Sequence, residues 1–428
     1  MNPFCSSSGG RIVVALMFFL IVVHPLQADD NSEPVLHLRD AEYLALAADQ
    51  RLVAAQLRML ALQETVQASA ELEDPQGRLV LQSLPVDSFD FGQEPMTQLL
   101  VGIKQPFPAG STRQLRRAKN VAQVSEANAE LAERRAMVLR SVRLAWLVVY
   151  AAVAEQRLLA QEQGLLRQTQ PLLEGAYRAG KNRQLDLARL RLRIAQTEAN
   201  LVASGSQERA QRAVLAQWVE DVDVRTWPKQ LPDTLERAPA VSPDANLQLV
   251  QLAAREAVVE QDIALAKEQF KPAWAAELSY GVRESRSDLL SLGVSLSLPV
   301  AKANRQTPEL EGKRKILASV KAERHYRHDE VSAVLQRLQQ EVDALSRQIA
   351  IYQQQIIPER QTIMQLVDSD YSAGKASASD VIEADTQLVN SQRQLLQLEI
   401  GRARKIIEIR YLSGEQEPLG ASSQETNP

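Results

Sequence analysis

With 428 residues, 24% of them charged but a formal net charge of only −4, and no basic block of the kind that tracks phosphates, the chain offers little to nucleic acid. Its 17 glycines, 4% aromatics and long apolar seams point to elongated helices rather than compact globules. The single cysteine, Cys5, excludes a disulfide frame.

The first residues read as an address. Arg11 precedes an apolar run from Ile12 to Val23, too short to cross a bilayer, and Ala28 stands before Asp29-Asp30. Residues 1–28 are therefore expected to be a secretory signal peptide, although Leu26, three before the cut, is larger than the usual small residue. Cys5 lies ahead of the apolar run, so it is not the lipidated cysteine of a mature lipoprotein, and the mature chain has no thiol for metal or redox chemistry. Beyond residue 28 no apolar stretch of about 18 residues is expected to form a transmembrane helix, so a membrane role must use strands.

Residues 29–218 read as a first structural unit. A helix is expected from Leu38 to Leu72, broken by Pro75 and Gly77, then a strand pair within 78–105, Arg78 to Leu84 and Gln98 to Gln105, around the turn-rich loop Pro85 to Pro95. From Ser111 to Gln170 there is one glycine and no proline, which predicts a helix of about 90 Å. Gly180, in a turn near 175–183, lets the chain return as a helix from Gln184 to Gln217. Residues 219–246, with Trp227-Pro228, Pro232, Pro239 and Pro243, are either a plain linker or a structured equatorial belt.

Residues 247–414 repeat the same order. A helix leads into a strand pair within 273–299, where Trp274, Ala276, Leu278, Tyr280 and Val282 alternate with small or polar residues, as do Leu292, Val294, Leu296 and Leu298. Runs of this length suit a tilted transmembrane strand or an ordinary half-buried hairpin. Four strands do not close a barrel, so spanning strands would need several chains. No proline or glycine interrupts Lys313 to Ile357, whose seam from Val331 to Ile356 steps by fours and threes in a heptad pattern. A turn near 369–379, with Gly374, precedes a returning helix from Ser379 to Tyr411, and residues 415–428 form a polar tail.

The two units are copies. Val138, Val142, Ala145, Val149, Ala152 and Leu159 recur 193 positions on as Val331, Leu335, Leu338, Val342, Leu345 and Tyr352. Tyr177-Arg-Ala-Gly-Lys181 matches Tyr371-Ser-Ala-Gly-Lys375, and Val101-Gly-Ile-Lys-Gln-Pro-Phe-Pro108 matches Leu292-Gly-Val-Ser-Leu-Ser-Leu-Pro299. The expected fold class is mainly α with a small β part, built on duplicated antiparallel helical hairpins.

This duplicated order, with Tyr371-Ser-Ala-Gly-Lys-Ala-Ser-Ala-Ser-Asp-Val-Ile-Glu383 and the leader, resembles the TolC family of outer-membrane efflux channels. The resemblance implies a homotrimer in the bacterial outer membrane that extends into the periplasm. Four strands per chain would close a twelve-stranded transmembrane β-barrel, and the hairpins a coiled-coil barrel. It also implies a periplasmic adaptor protein and an inner-membrane pump as partners, outer-membrane lipid around the strands, and no cofactor. Outer-membrane partners of heavy-metal exporters belong to the same resemblance.

Asp380 and Glu383, three apart on the returning helix, share one face, and by resemblance they match an acidic ring at the periplasmic entrance. Converging carboxylates favour cations and resist tight closure. Asp380 also falls in a first helical turn after Ser377, where an acid caps free N–H groups. The resemblance makes Tyr371 and Asp186 a hydrogen-bonded latch between hairpins. Where drug-exporting members carry an arginine two residues after the turn glycine, this chain has Ala376, leaving Arg183 or Arg189 to supply any ionic part. Gly180, Lys181, Gly374 and Lys375 mark the hairpin turns where an adaptor would dock. His325 and His328 share a helix face with Asp329, a pattern read as a solvated surface rather than a metal site, and His37 as isolated. No phosphate loop, nucleophile elbow or cysteine nucleophile supports an enzyme. The alternatives to a channel are a periplasmic adaptor, which should have one hairpin rather than two, and a coiled-coil scaffold without a pore, which has no use for the alternating strands.

Overall fold

The computed structural model describes residues 35–180, 183–284 and 286–418, so the leader, Lys181 and most of the polar tail lie outside the described residues. Helix α1 (Leu38–Ala48) and helix α2 (Gln50–Ala68) divide the stretch expected as one helix. The division is at Asp49, which takes an extended conformation and accepts from the backbone N–H groups of Arg51 and Leu52. A residue that caps the next helix cannot also continue the previous one.

Strands β1 (Gln76–Gln82), β2 (Gln98–Phe107), β3 (Ala273–Val282) and β4 (Leu289–Ser297) make one antiparallel sheet in sequence order. The repeats meet at its centre, where Val101 opposes Tyr280 and Phe107 opposes Trp274. Register gathers Leu79, Leu81, Leu99, Val101, Ile103, Leu278, Leu290, Leu292 and Val294 on one face. That face is uncovered, Leu292 being 83% exposed. Gln76, Arg78, Lys104, Glu277, Ser279, Ser295 and Ser297 occupy the opposite face, where Arg78 pairs with Glu277 at 2.9 Å. Phe107 and Trp274 stack at one end of the apolar face, centroids 4.1 Å apart, and Tyr280 lies towards the other.

Helix α3 (Thr112–Arg178) runs 67 residues, about 100 Å, straight through Pro171. The matching rod of the second repeat comprises α6 (Gln306–Ile351), a π-helical turn over Tyr352–Ile356, and α7 (Ile357–Ser372). The wider turn falls one residue ahead of the α7 start, where Pro358 has no N–H to offer the carbonyl of Gln354 and its ring crowds it. Helices α4 (Gln184–Leu215) and α8 (Ala378–Leu412) return along these rods, and α5 (Leu247–Glu268) leads into β3. Both seams are inside: Val142, Val149 and Leu159 of α3, and Val331, Leu335, Leu338 and Val342 of α6, are buried. One 18-residue window of α3 does reach a mean hydropathy of 1.6, contrary to the expectation of no such stretch beyond the leader. Most of that window is buried among neighbouring elements, as a core helix requires.

Residues 219–246, the belt segment, pack against α3, α4 and α8. The Trp146 indole donates to the Leu36 carbonyl at 3.0 Å, and the Trp227 indole to the Trp146 carbonyl at 3.3 Å. Arg157 donates to the Trp227 and Pro228 carbonyls, and Arg212 lies 4.4 Å over the Trp227 ring. Arg143 of α3, 1% exposed, is held between Glu42 of α1 and Glu415 beyond α8, and Arg410 donates to both Glu415 and the Thr234 carbonyl. Two copies of the repeat, the N-terminal helix, the belt and the end of α8 thus meet around one buried ionic network.

Candidate functional site: the hairpin tips

The two turns are built alike. Gly180 and Gly374 both have φ of +73°, a conformation glycine adopts without the cost of a Cβ. At the second turn the Lys375 N–H reaches the Asp370 carbonyl at 2.8 Å and the Gly374 N–H the Tyr371 carbonyl at 3.0 Å, a helix ending that satisfies carbonyls otherwise left open. The second returning helix begins with a reciprocal cap of Ser377 and Asp380, and the first with a one-way cap in which Asp186 accepts from the Arg183 N–H. Leu166, Leu173, Leu187 and Leu190 of the first hairpin pack on Ala378 and Ile382 of the second, so α4 and α8 stand side by side at the tips.

Asp380 is exposed and its Oδ2 accepts from the Ser377 N–H and hydroxyl, each at 2.7 Å. Those two bonds, backbone first, hold its carboxyl below the ordinary value. Glu383 is exposed one turn on and accepts from Gln387 at 3.1 Å. Capping therefore accounts for one oxygen of Asp380 and leaves Glu383 bound only to a neighbour on its own helix.

Asp186 is buried, 3% exposed. Its Oδ2 caps the Arg183 N–H at 3.3 Å and lies 3.7 Å from the Arg183 guanidinium, while Oδ1 has no hydrogen-bond partner among the described residues. Tyr371 is 39% exposed, and among the described residues no hydrogen bond joins it to Asp186. Arg189 instead donates to the Ser379 hydroxyl at 3.2 Å, so the two arginines named from the sequence each contact a residue near the tip.

A second acidic group was not visible from motif spacing. Asp385 sits half-buried on α8, five residues after Asp380. Burial pushes its carboxyl up, and Asp368 across the turn and Glu162 of the first hairpin add to the rise. Glu162 is itself held by Arg193 and by the Thr197 hydroxyl at 3.2 Å. The available signal was charge: residues 167–193 hold seven cationic and two acidic side chains, and the matching 361–387 hold one and five.

His325 is 82% exposed on its side chain, and His328 lies 3.6 Å from Asp244 and 3.4 Å from Asp329. No group of three or more His, Cys, Asp or Glu side chains among the described residues is arranged to hold a metal ion.

Residues 243–415, which cover nearly all of the second repeat, match the family model of the outer membrane efflux proteins. The fold is that of outer membrane efflux channels. The outer membrane protein VceC of Vibrio cholerae is 17% identical, with a TM-score of 0.71 over 88% of this chain and 96% of its own. The Campylobacter jejuni outer membrane channel CmeC is 10% identical, with a TM-score of 0.70 over 97% of this chain and 94% of its own. The open state of the MtrE outer membrane channel of Neisseria gonorrhoeae is 14% identical, with a TM-score of 0.71 over 88% of each chain. No curated protein matches the chain significantly by sequence alone. The resemblance to the TolC family that the sequence carries extends to the whole fold.

Proposed function

We propose that the chain is the outer-membrane channel of a tripartite export system, a passive duct from the periplasm to the exterior. The observation that carries this reading is the sheet: one face apolar apart from Gln105 and uncovered, the other mostly polar or small, with both edge strands unpaired among the described residues. In water such a face would be covered; against lipid it is satisfied, provided other copies close the edges. Phe107, Trp274 and Tyr280 supply aromatic side chains at the ends of the apolar band. Two hairpins in tandem disfavour the adaptor alternative, and the uncovered sheet disfavours the scaffold.

In this reading three chains form the ring, with the hairpins as its periplasmic cylinder and lipid around the strands. An inner-membrane pump supplies the energy and an adaptor docks at the turns around Gly180 and Gly374. Such a partner opens the entrance only if it binds the open arrangement more tightly. Asp380 and Glu383 are assigned to the acidic entrance ring, and Asp186 and Tyr371 to contacts between copies.

Leu292→Lys tests the reading, because a cation on the lipid face costs about 2–4 kcal/mol near mid-membrane. The unaltered protein should stay in a urea-washed outer-membrane pellet and the variant should be depleted from it. An unaltered protein found in the soluble fraction would contradict the channel.

A further inference from the structure

The repeats make one contact inside the chain whose counterpart the second repeat cannot make alone. Strand β2 ends the first sheet half and pairs with β3, which begins the second; β4 and β1 remain as free edges. Beside the β2–β3 seam, Glu268 at the end of α5 meets the start of α3. Its Oε2 accepts from the Ser111 N–H at 2.8 Å, and Lys271 donates to Oε1 at 2.6 Å. An anion is thereby set on the positive end of a long helix, and these partners lower the Glu268 carboxyl, Lys271 first. Gly110 makes room, since a Cβ there would lie 1.9 Å from Oε2.

The counterparts follow from the sequence. Glu268 stands four before Pro272, as Glu71 stands four before Pro75. Ser111 immediately precedes α3, and Arg305 stands at the same place immediately before α6. In the single chain these groups sit by opposite edges of the sheet, Glu71 before β1 and Gln306 after β4, and they are unfilled. Glu71 and Arg305 are exposed, and no hydrogen bond or ion pair engages either side chain among the described residues. The α6 start has no capping side chain. Gln306 is 6% exposed, yet its Oε1 has no hydrogen-bond partner among the described residues.

We infer that Glu71 of a neighbouring copy occupies the start of α6, clasped by Arg305, where the barrel passes into the helical cylinder. The inference rests on the ring proposed above. It adds one asymmetry that the repeat makes necessary. Lys271 lies beside the carboxylate it holds, whereas its counterpart before Pro75 is Asp74, so the cation must come from the helix side, and Arg305 is there. The contact within the chain carries its own cation; the contact between copies divides the pair between two chains. Ring closure then costs neither copy an unpaired charge at this junction.

Charge reversal separates the clasp from the ring. Glu71→Arg and Arg305→Glu are each expected to lower the trimer fraction of detergent-purified protein at a fixed dissociating temperature about tenfold. The double reversal should return it to within about twofold, with unchanged far-UV circular dichroism throughout. Glu73→Arg, which loses only a 3.6 Å pair with Arg116, should not be rescued by Arg305→Glu. A stable trimer indifferent to the single reversals, or a double variant no better than the sum of the singles, would overturn the clasp alone. An unaltered protein that is monomeric would overturn the channel reading, and the clasp with it.

Discussion

The belt and the hairpin tips are made of the same long helices and end in opposite states. At the belt, Arg143, Glu42, Glu415, Arg410 and the two indoles of Trp146 and Trp227 are bonded to one another or to carbonyls within a single chain. At the tips the first hairpin is cationic and the second acidic, yet no ion pair joins one to the other among the described residues. An apolar cluster and two bonds to neutral acceptors, Arg189 to Ser379 and Arg193 to Asn390, hold them together. A region completed within one chain acts as a fixed joint. A region with unspent charge of both signs is open to pairing with neighbouring chains, as the proposed entrance would need.

Breaking the belt should cost most. Arg143→Ala removes the guanidinium from two carboxylates in a nearly solvent-free site, and a loss of about 3–5 kcal/mol is expected in urea unfolding followed by helical circular dichroism. A loss under about 1 kcal/mol would show that the belt does not pin the helices. Leu190→Ala, in the buried tip cluster, should cost about 2–4 kcal/mol locally. Amide exchange should quicken around residues 166–190 while the belt keeps its protection; equal quickening in both would erase the distinction between the two regions.

Ser377→Ala removes one half of a reciprocal cap and is expected to cost about 1 kcal/mol, again confined to the start of α8. The smallest effect is in pH. Asp380, held below the ordinary value, adds stability above its unfolded-state pKa, and that is lost as pH falls through the depressed folded value. Asp385 is raised, so the folded chain takes up its proton first. Its ionisation costs stability as pH rises through the raised value, and the tip regains that stability on acidification. Carboxyl-carbon NMR of aspartate-labelled protein should find Asp385 titrating above, and Asp380 below, the ordinary carboxylate range. The reverse order would refute the assignment of one acid to capping and the other to a buried cluster.

The periodic elements were legible in the sequence because each is dictated by local pattern. The duplicated seams predict α3 and α6, and Tyr-x-Ala-Gly-Lys predicts both turns at their glycines. What escaped depends on contacts distant in sequence. Asp49 was hidden inside an apolar helical pattern, and only its extended backbone shows that it starts a new helix. Residues 219–246 have proline spacing compatible with a linker or a belt, and their packing depends on Trp146 and Arg157, some 70 to 80 positions away. At the tips the spacing of Asp380 and Glu383 is visible in the sequence, whereas nothing local marks Asp385, whose neighbours Asp368 and Glu162 lie on other helices.

The most direct test of the account is ion current through the purified protein in a planar bilayer. The account predicts stable current that favours cations, and Asp380→Ala with Glu383→Ala should lower that preference while leaving the current in place. Absence of current from a protein that inserts into the bilayer would contradict it, and a current with unchanged selectivity in the double variant would remove the two carboxylates from the entrance.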